Sequence, residues 1–440
     1  MYQTALTIIQ RLHSSGFEAY LAGGCVRDIL LKKEPKDYDI VTNASPEQIE
    51  SLFADKSRAI GKHFGVMQVK ENGHHFEIAT FRSDSSYSDG RRPDFVTFTS
   101  AAEDAKRRDF TINGLFLNPF TNEIKDFVGG QIDIKERLIR FIGNAEDRIK
   151  EDYLRILRAV RFKNRLNFRF DPATFQALRS NAELCRKIAP ERIRDELNKM
   201  LLHPNRIQAI QDLAELNILP IILPEIAKLK GITQPYEYHT EGDVFEHTLL
   251  ALKSIKSQRN LALIWATLLH DAGKAETYQV KERIRFDSHA EHSAKIAKDI
   301  LSRLHFPNSF IAEVCFLVLH HMMWVSLRDM PDSRKQHWIF GPHFANLLRL
   351  FKADASGSKP LDLSLYQEIK LIVQKIKTQY KKLPRPLLDG HIIQKELKLA
   401  PSPLIGQLLE KIYTAQIEKK VHTKQEALTF LHSLYDHLQH

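Results

Sequence analysis

The chain has 440 residues, too many for one compact core at roughly 100–200 residues per domain, so about three units are expected. Apolar content of 43% and charged content of 27% are those of an ordinary folded protein, and no run approaches the ~20 apolar residues of a membrane helix. The formal charge of +10 favours a polyanionic partner such as nucleic acid, and excludes little by itself.

In chain order, residues 5–12 have helical spacing, and 19–22 read as a short strand running into Gly23-Gly24. A helix is expected to start at 27–31, a strand at 38–41, and a helix at 46–53 opened by Ser45 as N-cap. Residues 66–69 and 76–81 read as strands paired around Asn72-Gly73. From about 145 the pattern is helical to the end: a long helix over 149–165, then 172–184 and 190–202. A histidine-rich helical stretch covers 239–324, Pro384-Arg385-Pro386 marks a linker, and a small helical tail follows. Cys25, Cys185 and Cys315 make neither a disulfide framework nor a metal pair, which suits a reducing compartment. The first residues, Met1-Tyr2-Gln3-Thr4, lack the basic and apolar regions of a signal peptide, so a cytoplasmic protein is expected.

Chemistry concentrates in the first third. Gly23-Gly24, between a strand and a helix, would let backbone amides approach a phosphate, and Arg27 could add a bidentate contact. A tight strand-to-helix turn explains Gly-Gly equally well. Asp37-Tyr38-Asp39 follows about thirteen residues later. Carboxylates at i and i+2 of a strand share a face, where they repel unless a hard cation such as Mg²⁺ lies between them. Two such ions can activate a 3′-hydroxyl and stabilise the departing pyrophosphate. A solvated strand edge is the plainer alternative. Glu77 is the candidate third carboxylate, the alternative again being an edge-strand charge. Arg107 and Arg108 could grip a triphosphate and Asp109 a ribose hydroxyl, although a charged helix end has the same composition. Residues 87–93 form a polar loop, either plain surface or a moving lid.

Asp152 and Arg155, three apart on the expected long helix, would share a face. A carboxylate accepts from the exocyclic amine of cytosine or adenine, and a guanidinium donates to the adjacent ring nitrogen. The pair would thereby select C and A over U and G, unless it is simply an intrahelical salt bridge. Arg158 and Arg161 extend the basic stripe.

Gly23-Gly24-Cys25-Val26-Arg27-Asp28, Asp37-Tyr38-Asp39, Arg107-Arg108-Asp109-Phe110-Thr111-Ile112-Asn113 and Glu151-Asp152-Tyr153-Leu154-Arg155 occur in order. Together they resemble the class II tRNA nucleotidyltransferase and bacterial poly(A) polymerase family over about residues 15–200. The resemblance implies an α+β chain: a polymerase-β-like head over 1–140, a helical neck and RNA-binding region over 141–235, then 236–360 and a tRNA-binding tail over 361–440. It implies CCA addition to tRNA from CTP and ATP, with A-only addition or poly(A) synthesis as alternatives. Asp37 and Asp39 would hold Mg²⁺. Arg107, Arg108 and Asp109 would bind triphosphate and ribose, Asp152 and Arg155 would recognise the base, and Gly24, Arg27, Asn113, Arg158 and Arg161 would complete the nucleotide site. Asp89, Gly90 and Arg91 match the family's flexible loop, which argues against addition of C alone. Gly61-Lys62-His63-Phe64-Gly65-Val66 looks closer to the tRNA enzymes than to poly(A) polymerases.

In the middle region, His247, His270-Asp271, His289, His292 and His320-His321 could hold a transition metal such as Ni²⁺ or Mn²⁺. His247 with His270-Asp271 and Gly273-Lys274 resembles the HD phosphohydrolase superfamily. That resemblance implies metal ligation by His247, His270 and Asp271, with Asp354 as the candidate last aspartate, and a second alternative function, phosphohydrolysis at RNA ends; His289 and His320 are further candidate ligands from the histidine cluster itself. In the tail, Leu387-Leu388-Asp389-Gly390 and Pro403-Leu404-Ile405-Gly406 resemble the C-terminal segment of the nucleotidyltransferase family. Lys411, Lys419 and Lys420 could contact RNA backbone or simply face solvent.

Overall fold

The computed structural model describes residues 1–439 apart from 62, 63, 86, 88, 89, 92, 236–239, 241, 257, 258 and 381. The expected loop residue Asp89, and Lys62 and His63 of the 61–66 motif, lie outside the described residues. The chain divides into two compact units, one built on residues 1–227 and the other on residues from 228 onward.

The first unit is α+β. Its elements run α1 (Tyr2–Ser14), β1 (Ala19–Ala22), α2 (Gly24–Leu30), β2 (Asp39–Thr42), α3 (Pro46–Phe53), β3 (Ser57–Gly61), β4 (Val66–Glu71) and β5 (His74–Thr80). They continue with β6 (Arg82–Asp84), β7 (Val96–Phe98), α4 (Ala101–Lys106), β8 (Leu115–Leu117), β9 (Ile124–Asp126), α5 (Gly130–Glu136) and β10 (Leu138–Ile139). A helical run closes the unit, including α6 (Ala145–Glu151), α7 (Arg155–Leu166), β11 (Arg169–Phe170), α8 (Pro172–Ser180) and α9 (Pro190–Leu201).

The main sheet has the order β3-β4-β5-β2-β1-β8-β9. All its pairs are antiparallel except β2 with β5. Every residue of β1 is buried, as an apolar strand in the middle of a sheet must be. Tyr20, Val41, Phe81, Ala105 and Phe116 pack into one cluster against it.

Ser45 caps α3 as expected. Its Oγ accepts from Gln48 N at 3.3 Å, and Gln48 Oε1 accepts from Ser45 N at 2.8 Å, a reciprocal capping box. Ser45→Ala should therefore cost about 1 kcal/mol. Urea denaturation checks this, and an unchanged midpoint would refute it.

Four stretches differ from the sequence reading. The second helix begins at Gly24, three residues before the expected start, and β2 begins at Asp39, so Asp37 precedes the strand. The expected long helix over 149–165 is two helices. Asp152 takes extended angles (φ −143°, ψ 105°) at the end of α6, and its Oδ1 accepts from Leu154 N at 3.1 Å. That local side-chain bond competes with the helical ladder and restarts it at Arg155. The histidine-rich stretch is also not wholly helical: Tyr278–Val280 pairs antiparallel with Ile284–Phe286.

The second unit is otherwise helical. Its tail has its own small core around Leu388, Ile393, Leu408, Ile412 and Leu431. No helix among the described residues is long and apolar enough to cross a membrane.

Candidate active site and metal centre

The sheet order explains how distant carboxylates meet. Asp39 opens β2 opposite Ala22 of β1, while on its other side β2 runs parallel to β5 with Ile40 level with Ile78. One step back along both strands sets Asp39 beside Glu77. Since β5 is an interior strand, Glu77 is not an edge charge. Asp37, just before β2, joins them on the wall of a cavity of about 640 Å³. Desolvation, then the negative charges of Asp37 and Glu77, push the Asp39 carboxyl up to about 6, against a weaker opposing pull from Arg108. Three carboxylates gathered on one wall, two of them raising the proton affinity of Asp39, form a donor set suited to a hard divalent cation.

Gly23 turns β1 into α2 with φ +69°, and a Cβ there would lie 2.9 Å from Arg108 Nη1. A side chain at this turn would thus meet both backbone strain and the arginine. Arg27 is buried. It donates to Asp28 Oδ1 at 2.9 and 2.7 Å and to Asn113 Oδ1 at 2.6 Å, so it ties α2 to the 109–113 segment while still lining the cavity.

Arg107 and Arg108 share an anchor that the sequence reading missed. Buried Asp104 accepts from Arg107 Nε at 2.8 Å and from Arg108 Nε and Nη2, both at 3.1 Å. Burial alone would raise the Asp104 pKa, but the two guanidinium groups outweigh it and lower it. The signal was present in the i+3 and i+4 spacing from Asp104 on α4.

Asp109 lines the same cavity, and its carboxylate is held by neighbouring side chains. Its Oδ1 accepts from Phe110 N at 2.8 Å and Asn113 Nδ2 at 3.0 Å, and its Oδ2 from Arg158 Nε at 2.9 Å and Nη2 at 2.5 Å. Burial works against the charge, yet Arg158 and Asn113 hold the pKa down to about 2.

The helix break re-places the base-reading pair. Asp152 and Arg155 do not share a helical face; Arg155 N donates to Asp152 O at 2.9 Å, but their side chains go to other partners. Instead, Arg192 Nη1 and Nη2 donate to the two oxygens of Asp152, each at 3.0 Å. Arg155 Nη1 donates to Glu151 Oε2 at 2.5 Å and to Arg148 O at 2.8 Å, and its Nη2 to Arg107 O at 3.1 Å. Asp152, Arg155, Arg158 and Arg192 all line the same cavity as the carboxylates. Arg161 does not: it turns away to Glu196, with Nε 2.5 Å from Oε2.

In the loop, Gly90 and Arg91 are described. Gly90 O accepts from Tyr153 N at 3.2 Å, and a Cβ on Gly90 would come within 2.2 Å of the Tyr153 ring. The φ of +63° adds strain for any other residue, so glycine is required where the loop meets the helix break.

In the second unit, six side chains on or just after five helices converge. His247 lies on the helix Val244–Ser254, His270 and Asp271 follow Leu261–Leu269, and Asp354 lies on Phe344–Gly357. His289 opens the helix His289–Arg303, and His321 follows Asn308–Leu319. His247 Nε2 is 3.0 Å from Asp354 Oδ1 and 3.7 Å from Asp271 Oδ2. His270 Nε2 is 3.3 Å from Asp271 Oδ2 and 3.5 Å from Asp354 Oδ1, yet it is fully buried without a hydrogen bond of proper geometry. His289 Nε2 faces His321 Nε2 at 3.2 Å, with Asp271 Oδ1 at 3.5 and 3.8 Å from the two rings.

The opposite ring nitrogens explain this orientation. Nδ1 of His270, His289 and His321 lies 2.8, 2.9 and 2.6 Å from the carbonyls of Thr267, Phe286 and Val318. A carbonyl only accepts, so each Nδ1 carries a proton and turns Nε2 toward the cluster. Burial lowers the pKa of His289, and that of His321 to about 4. Both are therefore neutral, with lone pairs aimed at each other, an arrangement a cation relieves. Asp271 belongs to two ligand sets, His247–His270–Asp271 and Asp271–His289–His321. The expected ligand His320 is corrected to His321: His320 packs on Phe316 and Trp338 instead. His292 lies outside the cluster, exposed beside Glu276.

Comparison with known proteins covers the stretches that carry both sites. Residues 19–140 match the poly A polymerase head domain, 167–230 the probable RNA and SrmB-binding site of polymerase A, and 244–338 the HD domain. The chain is 42% identical over 249 residues to the CCA-adding enzyme of Lactobacillus helveticus (strain DPC 4571), covering 56% of this chain and 62% of that protein. It is 37% identical over 265 residues to that of Limosilactobacillus reuteri (strain DSM 20016), covering 59% and 65%. The matched part thus falls short of two thirds of these relatives' length. Among solved structures, the Bacillus stearothermophilus CCA-adding enzyme in complex with CTP superposes with a TM-score of 0.70 and 26% identity, over 100% of this chain and 98% of that one. The Thermotoga maritima CCA-adding enzyme complexed with tRNA_CCA has the same fold, with a TM-score of 0.60 at 20% identity over 98% and 94% of the chains. Three stretches of the chain thus match, in order, the poly A polymerase head domain, that polymerase's probable RNA-binding site and the HD domain.

Proposed function

We propose that this chain adds CMP, CMP and AMP to the 3′ end of tRNA, taking CTP and ATP as substrates and choosing them with protein side chains rather than a template. The observation that carries the reading is one cavity lined at once by Asp37, Asp39 and Glu77, by Arg107 and Arg108, and by Asp152 and Arg155. The carboxylates would hold Mg²⁺, which when bound supplies positive charge to the attacking 3′-oxygen and to the departing pyrophosphate. Gly23 and Gly24 leave room for a phosphate beside the start of α2, and Arg107 and Arg108 offset its charge from the anchor Asp104 provides. Arg155 has five N–H donors, three of them engaged, so Nε–H and one Nη2 proton are left for a base nitrogen. Asp152 accepts from the base amine. The relatives named CCA-adding enzymes, and the CTP-bound structural neighbour, support this assignment.

The division into head (1–140), neck (141–235), HD region (236–360) and tail (361–440), and a cytoplasmic location, belong to the same proposal. So do tRNA backbone contacts from Lys411 and Lys419; Lys420 is engaged by Glu418 at 2.7 Å. For the second unit, we infer a separate transition-metal site at His247, His270, Asp271, His289, His321 and Asp354. A bound ion there would supply a Lewis acid for phosphate-ester hydrolysis.

Arg155→Ala tests the base-reading assignment. Incorporation of CMP relative to UMP should fall on the order of tenfold or more, because a charge-assisted hydrogen bond is worth about 1.5–3 kcal/mol. Competition between CTP and UTP on a tRNA lacking its 3′ end measures it, and unchanged nucleotide choice would remove the role.

A further inference from the structure

We propose that Arg192 sets nucleotide choice as a positioning residue, by clasping Asp152 and fixing the one carboxylate edge left to read a base. The inference rests on the base-reading role proposed above for Asp152.

Asp152 sits in the extended break between α6 and α7, where no helical ladder restrains it. Leu154 N holds Oδ1 alone, which would leave Oδ2 and the carboxylate plane free to turn within the cavity. Arg192 prevents this with two parallel bonds, Nη1 to Oδ1 and Nη2 to Oδ2, both 3.0 Å. Such a fork fixes the plane of the carboxylate as well as its position. The clasp comes from a firm support: Arg192 is in the first turn of α9, whose Ile193, Leu197 and Met200 are buried.

The count of acceptor sites gives the clasp a chemical consequence. A carboxylate has about four lone-pair sites. Arg192 takes two and Leu154 N a third, on Oδ1 at 3.1 Å. One remains, on Oδ2, matching one N–H of the exocyclic amine of cytosine or adenine. An ionised carboxylate only accepts, so it has no proton to donate to the carbonyl that uracil or guanine presents at that position. Both side chains stay partly exposed to the cavity, at 25% for Arg192 and 19% for Asp152, so a ligand can reach the pair.

The test uses the full chain with Mg²⁺, a tRNA lacking its 3′ CCA, and CTP, ATP or UTP, reading kcat/KM for each nucleotide. The variants are Asp152→Ala, Arg192→Ala, Arg192→Lys and the double alanine. Arg192→Ala should lower the CTP-to-UTP ratio on the order of tenfold, as Asp152→Ala does, and the double variant should lose no more. Arg192→Lys keeps the charge without the fork. It should fall in between at an unchanged Tm, and it stands in for the alanine if that variant fails to fold. A ratio that survives both Arg192 changes but not Asp152→Ala, or additive losses in the double variant, would overturn the clasp. A ratio that survives Asp152→Ala would remove the base-reading role itself, and no incorporation by the unaltered chain would remove the transfer reading beneath both.

Discussion

Asp39→Ala should reduce nucleotide incorporation by on the order of 10³-fold or more while the protein stays folded, because the carboxylate acts on charge that develops only as the nucleotide is transferred. Single-turnover extension of a radiolabelled RNA checks the rate, and circular dichroism checks the fold; incorporation within tenfold of the unaltered chain would refute the assignment. The pH behaviour provides an independent signature. In the metal-free protein the Asp39 carboxyl is raised from 3.8 to about 6 by burial and by Asp37 and Glu77. A raised folded-state pKa means that the native state binds the proton more tightly than the unfolded chain. Its contribution to stability is complete below about pH 4 and is lost as the pH climbs through about 6. Asp39→Asn, which needs no proton, should flatten that part of the metal-free stability profile. Mg²⁺ should oppose the loss in the unaltered chain and do much less in the variant.

Asp271→Ala should empty the second metal centre, since Asp271 is shared by both ligand sets there. Metal analysis of the purified protein, before and after incubation with Ni²⁺ or Mn²⁺, should show content falling to background. Retention at the level of the unaltered protein would refute the ligand assignment. The same residue holds the charge balance of the metal-free centre. Burial alone would lower the pKa of His270, but Asp271 and Asp354 outweigh it and raise it to about 10. Metal uptake must therefore release the His270 proton, and metal affinity should rise with pH over the neutral range. In the absence of metal, the stability owed to protonated His270 is complete below its ordinary pKa of 6.5 and is lost as the pH rises through about 10. Asp271→Ala leaves a buried imidazole without its main counter-charge, so it should also lower Tm.

What could be read in the sequence, and what could not, follows the range of the interactions. Short apolar runs and turn signals located β1, α3 and the β4–β5 pair because local patterning decides those elements. Asp37, Asp39 and Glu77 were legible as candidates from residue type and spacing, but their meeting depends on β5 lying beside β2, a pairing of distant strands. The 149–165 stretch misled because its apolar spacing continues through Asp152, while a single side-chain bond to Leu154 N breaks the ladder. That one break moved Asp152 from Arg155 to Arg192, forty residues away and invisible to any local rule. His320 and His321 illustrate the same limit. Adjacent residues point in different directions, and only the turn after the helix Asn308–Leu319 decides that His321 faces Asp271 while His320 faces Trp338. Asp104 was missed for the opposite reason, since its spacing to Arg107 and Arg108 was plain but its burial was not.

The most direct test of the account incubates the purified chain and Mg²⁺ with three tRNAs, ending at the discriminator base, at one added C, or at CC. Each receives CTP, ATP or both, and the products are sized to the nucleotide. The account predicts growth of every substrate to CCA followed by a stop, with UTP not incorporated. Extension of the CC-ending tRNA alone, long A tails, or no extension from any of the three would contradict it.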